Sequence, residues 1–399
     1  MVGIAMEKVR VLTATGTMNA GGAESLIMEI LRQKSEKIEH IMLIHYDGEK
    51  KAGVYDEEIR KLGVPIYYIP SVGSIGIRSY VREFQRVLRE IGTVDILHSH
   101  LNAVGGVIAL AAKKAGIAHR IVHCHANITY SGSRISIALN EIRLLLMKRY
   151  VNRYATDFWA CSEQAAQRLF YPRKEKVIIP NVICVANYLC DEQKRTEAKK
   201  KYGVEHTELV LGAVGRIARI KNYAFALSVL AALRKRGIDA EFLCFGRKTD
   251  ENYYQDLQLK AQELMIAPYV HFLGNSTDIG FDISCFDAFI MPSDSEGFGM
   301  AAIEAQAASL PTFVSTGVPE AVDVGAGLIS FLPTESAELW ADAIQKIKTD
   351  PLTDHDKIIR CFEEKGLNSE TAVRKIEGLY CKISKGNASD GDQATDTQE

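Results

Sequence analysis

The sequence predicts an α/β protein made of two successive units, each a parallel sheet wrapped by helices. Three observations carry that expectation. Short apolar runs alternate with helix-length segments from residue 8 onward, the order that forces parallel pairing through crossover connections. The alternation breaks at a charged stretch, 191–202, and restarts at 208. At 399 residues and 47% hydrophobic content the chain can bury a substantial core, and its length favours two or three domains. The boundary is expected near Tyr188, giving domains 1–187 and 188–367. A last helix, about 368–385, is expected to pack back on the first domain, and the polar tail 386–399 to be disordered.

Net charge is −2, but residues 1–187 carry 25 Lys and Arg against 17 Asp and Glu, and the remainder 23 against 33. A basic first half and an acidic second half imply different surroundings. Eight cysteines are scattered without a C-x-x-C pair, which fits reduced thiols in a cytoplasmic protein. No uncharged window reaches the roughly 18 residues a spanning helix needs, so a soluble or peripheral protein is expected.

In the first half, strand 8–14 is followed by a glycine-bearing loop and a helix, 25–33. That order puts a phosphate on a helix N-terminus, or else Gly21-Gly22 makes only a tight turn; it is not the dinucleotide pattern G-x-G-x-x-G. Strands 41–46 and 66–69, helix 78–90, the D-I-L-H-S-H run, helix 103–115 and strand 120–123 continue the alternation. Two His-x-His pairs, His98/His100 and His123/His125, fall at strand ends, where sites in such sheets lie. They are a metal cluster or histidines that satisfy loop carbonyls; no Asp or Cys constellation completes a hydrolase pattern. Helix 131–154 sets Leu139, Ile142, Leu146 and Tyr150 among Arg143, Lys148, Arg149 and Arg153. It reads first as a core-packed helix with a solvated face, and otherwise as a helix lying on an anionic membrane. Strand 158–162 follows, then the stretch 177–183 with its Pro-Asn turn, and the charged helix 191–202 reads as solvated surface.

The second half begins with strand 208–214, whose loop places Arg216 and Lys221 before helix 223–235. Two such cations suit a diphosphate, Arg as a planar fork and Lys as a point charge, or they are surface decoration. Strand 240–246, helix 252–264 and strand 270–274 lead to the densest site-like stretch, 287–316. Its strand 288–291 ends in turn residues, then Glu296, the Gly297-Phe298-Gly299 run and a helix from Met300. Helical side chains lean toward the N-terminus, so Glu304 and Glu296 could flank one polar ligand whose anionic part meets the amides between them. The plain alternative is a loop charge and a dipole-complementing acid. Helices 336–349 and 358–384 close the chain.

Taken in order, GGAE at 21–24, the His pairs, the Pro180-Asn181 turn, G-R-x4-K-N at 215–222 and E-x7-E at 296–304 resemble the retaining glycosyltransferases of family four, polysaccharide-biosynthesis type. The resemblance covers most of residues 8–385. It implies the GT-B fold, two Rossmann-like domains with parallel sheets facing an interdomain cleft, closing to complete the site. It implies sugar transfer with retention from a nucleotide-sugar, expected to be a UDP-sugar, to a saccharide or lipid-linked acceptor in capsular, exopolysaccharide or envelope synthesis. By the same resemblance His125, Arg216, Lys221 and Glu296 are the catalytic set, and Gly21, Gly22, Gly297, Phe298, Gly299, Met300 and Glu304 bind donor. His125 would meet the donor sugar, Glu296 its hydroxyls and Glu304 the ribose. No cofactor or metal, no nucleic acid, and a place at the inner face of the plasma membrane, with contact to anionic lipid, are expected. A nucleotide-sugar 2-epimerase of the same fold and a non-catalytic nucleotide-sugar-binding partner protein stay as alternatives.

Overall fold

The computed structural model describes residues 8–19, 21–125, 128, 133–347 and 354–385. The chain divides into two compact units, Met1–Ile183 with Ser369–Glu399, and Cys184–Asn368. The tail expected to be disordered lies outside the described residues.

The first unit runs β1 (Val9–Thr15), α1 (Gly22–Arg32), β2 (Ile38–Tyr46), α2 (Asp56–Lys61), β3 (Ile66–Pro70), α3 (Val72–Ile91), β4 (Ile96–Ser99), α4 (Gly105–Lys114), β5 (His119–Cys124), α5 (Arg134–Tyr154), β6 (Asp157–Ala160), α6 (Glu163–Leu169) and β7 (Val177–Ile178). Its strands pair in parallel in the order β3-β2-β1-β4-β5-β6-β7, so the winding reverses between β1 and β4. Leu12, Ala14, Ile41 and Leu43 face α3 and α4 through Tyr80, Phe84, Val107 and Ile108. Gly106 lets α4 press on α5: a Cβ there would stand 2.4 Å from the Val151 nitrogen.

The second unit runs α7 (Glu192–Tyr202), β8 (Leu209–Val214), α8 (Tyr223–Lys235), β9 (Ala240–Phe245), α9 (Glu251–Glu263), β10 (Val270–Gly274), α10 (Ile279–Asp282), β11 (Ala288–Met291), α11 (Met300–Ala307), β12 (Thr312–Ser315), β13 (Ile329–Leu332), α12 (Ala337–Gln345) and α13 (His355–Glu364). Its strands are ordered β10-β9-β8-β11-β12-β13, again parallel, with the reversal between β8 and β11. The final helix, α14 (Ser369–Lys385), belongs to the first unit, where Ala372, Val373, Ile376 and Tyr380 form one apolar face against β1 and α1.

Four expectations are corrected. Helix 358–384 is two helices, because Gly366 at φ +66° turns the chain between α13 and α14. In the stretch 177–183, expected as a strand with the Pro-Asn turn, the strand is only Val177 and Ile178, ahead of that turn. The charged helix is not merely solvated: on α7, Arg195 and Lys199 clasp the Asp287 carboxylate, and Lys201 reaches Asp282 at 2.7 Å. The core-packed reading of α5 fails for three of the four residues that suggested it: Leu139, Ile142 and Leu146 are exposed, whereas Tyr150 packs against the core, as do the buried Leu144 and Val151.

Candidate active site

At the reversal point of the second sheet three loops are knitted together beyond the carboxyl ends of β8, β11 and β12, where ligands of open α/β sheets bind. The Asp294 amide donates to the Ile220 carbonyl at 2.9 Å, and the Glu296 amide to the Gly317 carbonyl at 3.2 Å. The Ser315 hydroxyl donates to the Ser293 carbonyl. Gly317 is required by this contact, since a Cβ would fall 2.3 Å from the Asp294 carbonyl oxygen.

Within that frame the side chains of two motifs meet. Lys221 Nζ lies 2.6 Å from Glu296 Oε1, and the buried Ser293 hydroxyl donates to the same oxygen at 2.6 Å. Arg216 is exposed and has no acidic partner among the described residues, whereas neighbouring Arg219 is spent on Asp256 at 2.7 Å. Gly215, at φ +151°, brings the backbone against Lys221 and the Tyr223 hydroxyl. Gly297 is exposed with open space where a side chain would be. Phe298 is buried and anchors the loop; Gly299, at φ +93°, opens α11, and Met300 is half-buried at its first position. Glu304 follows about one turn later. Burial pushes its carboxyl up to about 7, against the pull of a Tyr188 hydrogen bond and of the Lys221 charge. One cation therefore faces both motif carboxylates.

In the first unit Gly21 precedes α1 in extended backbone, and a Cβ on it would meet the Glu24 carboxylate at 2.4 Å, so that acid folds back over the loop. Burial raises the Glu24 carboxyl. Gly22 starts the helix. The four histidines stand as two rows at the carboxyl ends of β4 and β5, His98 and His123 on the strands and His100 and His125 just past them. His98 Nε2 is 3.2 Å from His123 Nδ1, and His100 Nδ1 is 2.7 Å from His125 Nε2. The Tyr380 hydroxyl of α14 bonds His98 Nδ1 at 2.6 Å. His125 is held further by Asn181 Oδ1 at 3.2 Å, and its backbone amide donates to Asn102 Oδ1 at 2.7 Å. Burial keeps all four well below the ordinary imidazole range, His125 down to about 4, so they are neutral at neutral pH. Both ring nitrogens of His125 are engaged inside the protein. Nitrogens of His98, His100 and His123 lie within 4.8 Å of one another, close enough to share an ion, yet both His98 nitrogens already bond to Tyr380 and His123.

Three supporting residues were not singled out from the sequence. Ser293 and Tyr188 hold the two carboxylates, and Asn181 holds His125. Ser293 reads as turn punctuation and Tyr188 as linker. Asn181, in the Pro-Asn turn, carried the one usable signal.

Chemically, the second-unit site offers an exposed guanidinium, an ammonium already compensated by a carboxylate and a glycine loop opening a helix. It can take an anion by exchanging the Glu296 contact of Lys221 for a phosphate oxygen.

Comparison with known proteins agrees with this architecture. Residues 194–361 match the model of glycosyl transferases group 1, and residues 21–182 that of a glycosyl transferase 4-like domain. EpsF of Bacillus subtilis (strain 168), which carries the name of a glycosyltransferase, is 30% identical over 376 residues, 93% of this chain and 96% of its own. The capsular polysaccharide biosynthesis glycosyltransferase CapH of Staphylococcus aureus is 23% identical, over 85% of this chain and 90% of its own. Among solved structures, Anabaena HepE in complex with UDP and glucose superposes with a TM-score of 0.75 at 16% identity, over 94% of this chain and 100% of its own. The chain therefore belongs to the family-four glycosyltransferases of GT-B fold and is a glycosyltransferase.

Proposed function

We propose that the chain transfers a sugar, with retention of anomeric configuration and without a metal, from a UDP-sugar to a saccharide or lipid-linked saccharide during capsular, exopolysaccharide or envelope glycan synthesis at the cytoplasmic face of the membrane. The observation that carries this reading is the Lys221–Glu296 pair set beside Arg216, which has no acidic partner among the described residues, and the glycine loop that opens α11. As the sugar–phosphate bond breaks, negative charge grows on the diphosphate and positive charge on the sugar carbon. Arg216, Lys221 and the first amides of α11 take the former. Lys221 moves from Glu296 to the diphosphate and leaves Glu296, still held by Ser293, to accept from sugar hydroxyls. Glu304 accepts from the ribose, and Gly21-Gly22 leave room for the donor or acceptor. His125, neutral and doubly bonded, serves as a fixed wall for the donor sugar rather than a general base. Retention follows from same-face attack in which the leaving phosphate oxygen accepts the acceptor's proton. The name of CapH supports the polysaccharide assignment, and the UDP complex of HepE supports the donor.

The test is incubation with a nucleotide-sugar panel and saccharide acceptors, read by mass spectrometry, with elemental analysis of the protein. Transfer from a UDP-sugar by metal-free protein is expected. Isomerised free sugar would instead mark a 2-epimerase, and donor binding without turnover a non-catalytic partner.

A further inference from the structure

We propose that the outward face of α5 is a docking surface for an anionic phospholipid bilayer; this rests on the lipid-linked acceptor of the function just proposed and names the surface that would present it. Ile135, Leu139, Ile142, Leu145 and Leu146 are between 54% and 75% exposed. At 100° per residue, Ile135, Leu139, Ile142 and Leu146 share an arc of roughly 60°. That arc lies opposite Leu144 and Val151, which are buried against the first unit. The helix thus has two apolar faces, one serving the core and one facing outward.

Charge selects the occupant. Arg149 and Arg153 continue the line of the stripe toward the end of the helix, Arg143 flanks it, and Arg134 stands at its start; all four are exposed. None has an acidic partner among the described residues. The helix carries one acid, Glu141, and Arg168 holds it. Apolar residues along one line with unneutralised arginines around them match a helix lying in the plane of a bilayer, side chains in the acyl boundary and guanidinium groups at the phosphates. A second copy of this chain meeting it α5 to α5 would bring only more unpaired arginines to the same face. No helix among the described residues is long and apolar enough to cross a membrane, so the contact is one of surface, not of span.

The experiment is co-sedimentation of the full chain with vesicles of phosphatidylcholine alone or mixed with phosphatidylglycerol. Leu139→Ser/Leu146→Ser and Arg143→Glu/Arg149→Glu double variants are compared with the parent for vesicle binding, thermal melting and transfer to a lipid-free acceptor. The parent is expected to bind the anionic vesicles in a salt-sensitive manner, and each variant to bind at least about tenfold more weakly with unchanged melting and lipid-free transfer. Absence of anionic-vesicle binding by the parent overturns the proposal, as does binding by both variants at the parent's level. A parent that sediments as a dimer without binding vesicles, and that the leucine variant dissociates, overturns it in favour of a second copy. Vesicle binding without any sugar transfer supports the docking surface and counts only against the function on which it was built.

Discussion

Glu296 and Glu304 lie eight positions apart and face the same lysine, yet their surroundings separate them. Glu296 is fixed by Ser293 and Lys221, while Glu304 is desolvated and shares a hydrogen bond with Tyr188. Glu296→Gln removes the counter-charge of Lys221 and the proposed acceptor for sugar hydroxyls, so kcat is expected to fall about 100-fold with little change in donor affinity. Glu304→Gln is expected to weaken donor binding about tenfold, with a smaller effect on kcat. Steady-state kinetics with titration calorimetry separates the two, and the reverse pattern would exchange their roles. The Glu304 carboxyl, pushed up to about 7, also sets a sign for pH: in the proposed role its ionised form accepts ribose hydroxyls, so donor affinity should rise about tenfold between pH 6 and pH 8. The same pH dependence in the Glu304→Gln variant would refute that assignment.

At the level of elements, β4 and β5, and β2 on the other side of β1, bury imidazoles that the fold keeps neutral. Burial holds His40, His45 and His125 down to about 4, and His98, His100 and His123 well below the ordinary value of 6.5. Above pH 6.5 these groups are neutral whether the chain is folded or not and contribute no pH dependence. Below it the unfolded chain takes up protons that the folded one refuses, so stability falls by up to about 1.4 kcal/mol per pH unit for each histidine until its folded value is reached. Urea midpoints should therefore drop steeply between pH 6.5 and 5; a flat profile would contradict the burial. The α4–α5 contact gives a second test. Gly106→Ala places a methyl 2.4 Å from the Val151 nitrogen and should cost about 2 kcal/mol in urea unfolding. Exposed Leu146 on the far side of α5 should tolerate serine within about 0.5 kcal/mol.

Across the whole chain, what was readable in the sequence was contiguous. The α/β alternation and each charged motif announce themselves within a few residues, which is how Arg216, Lys221, Glu296 and Glu304 stood out. What joins them is not local: Lys221 and Glu296 meet across 75 positions because β11 pairs with β8 at the sheet's reversal point, and no run of residues encodes that neighbour relation. The four-residue β12 and β13 went unread, although β11, of the same length, was marked by the turn residues that end it. The exposed stripe of α5 was ambiguous for another reason. A helix apolar on two faces gives the same residue pattern whichever face is buried, and only the packing of Gly106 against Val151 decides it. In the proposed function Arg216 and Lys221 stabilise the diphosphate of the donor. Its most direct test is sugar transfer by the Arg216→Ala/Lys221→Ala double variant, measured by mass spectrometry beside the parent. A loss of at least about 1000-fold in turnover is predicted, and full transfer by the double variant would contradict it.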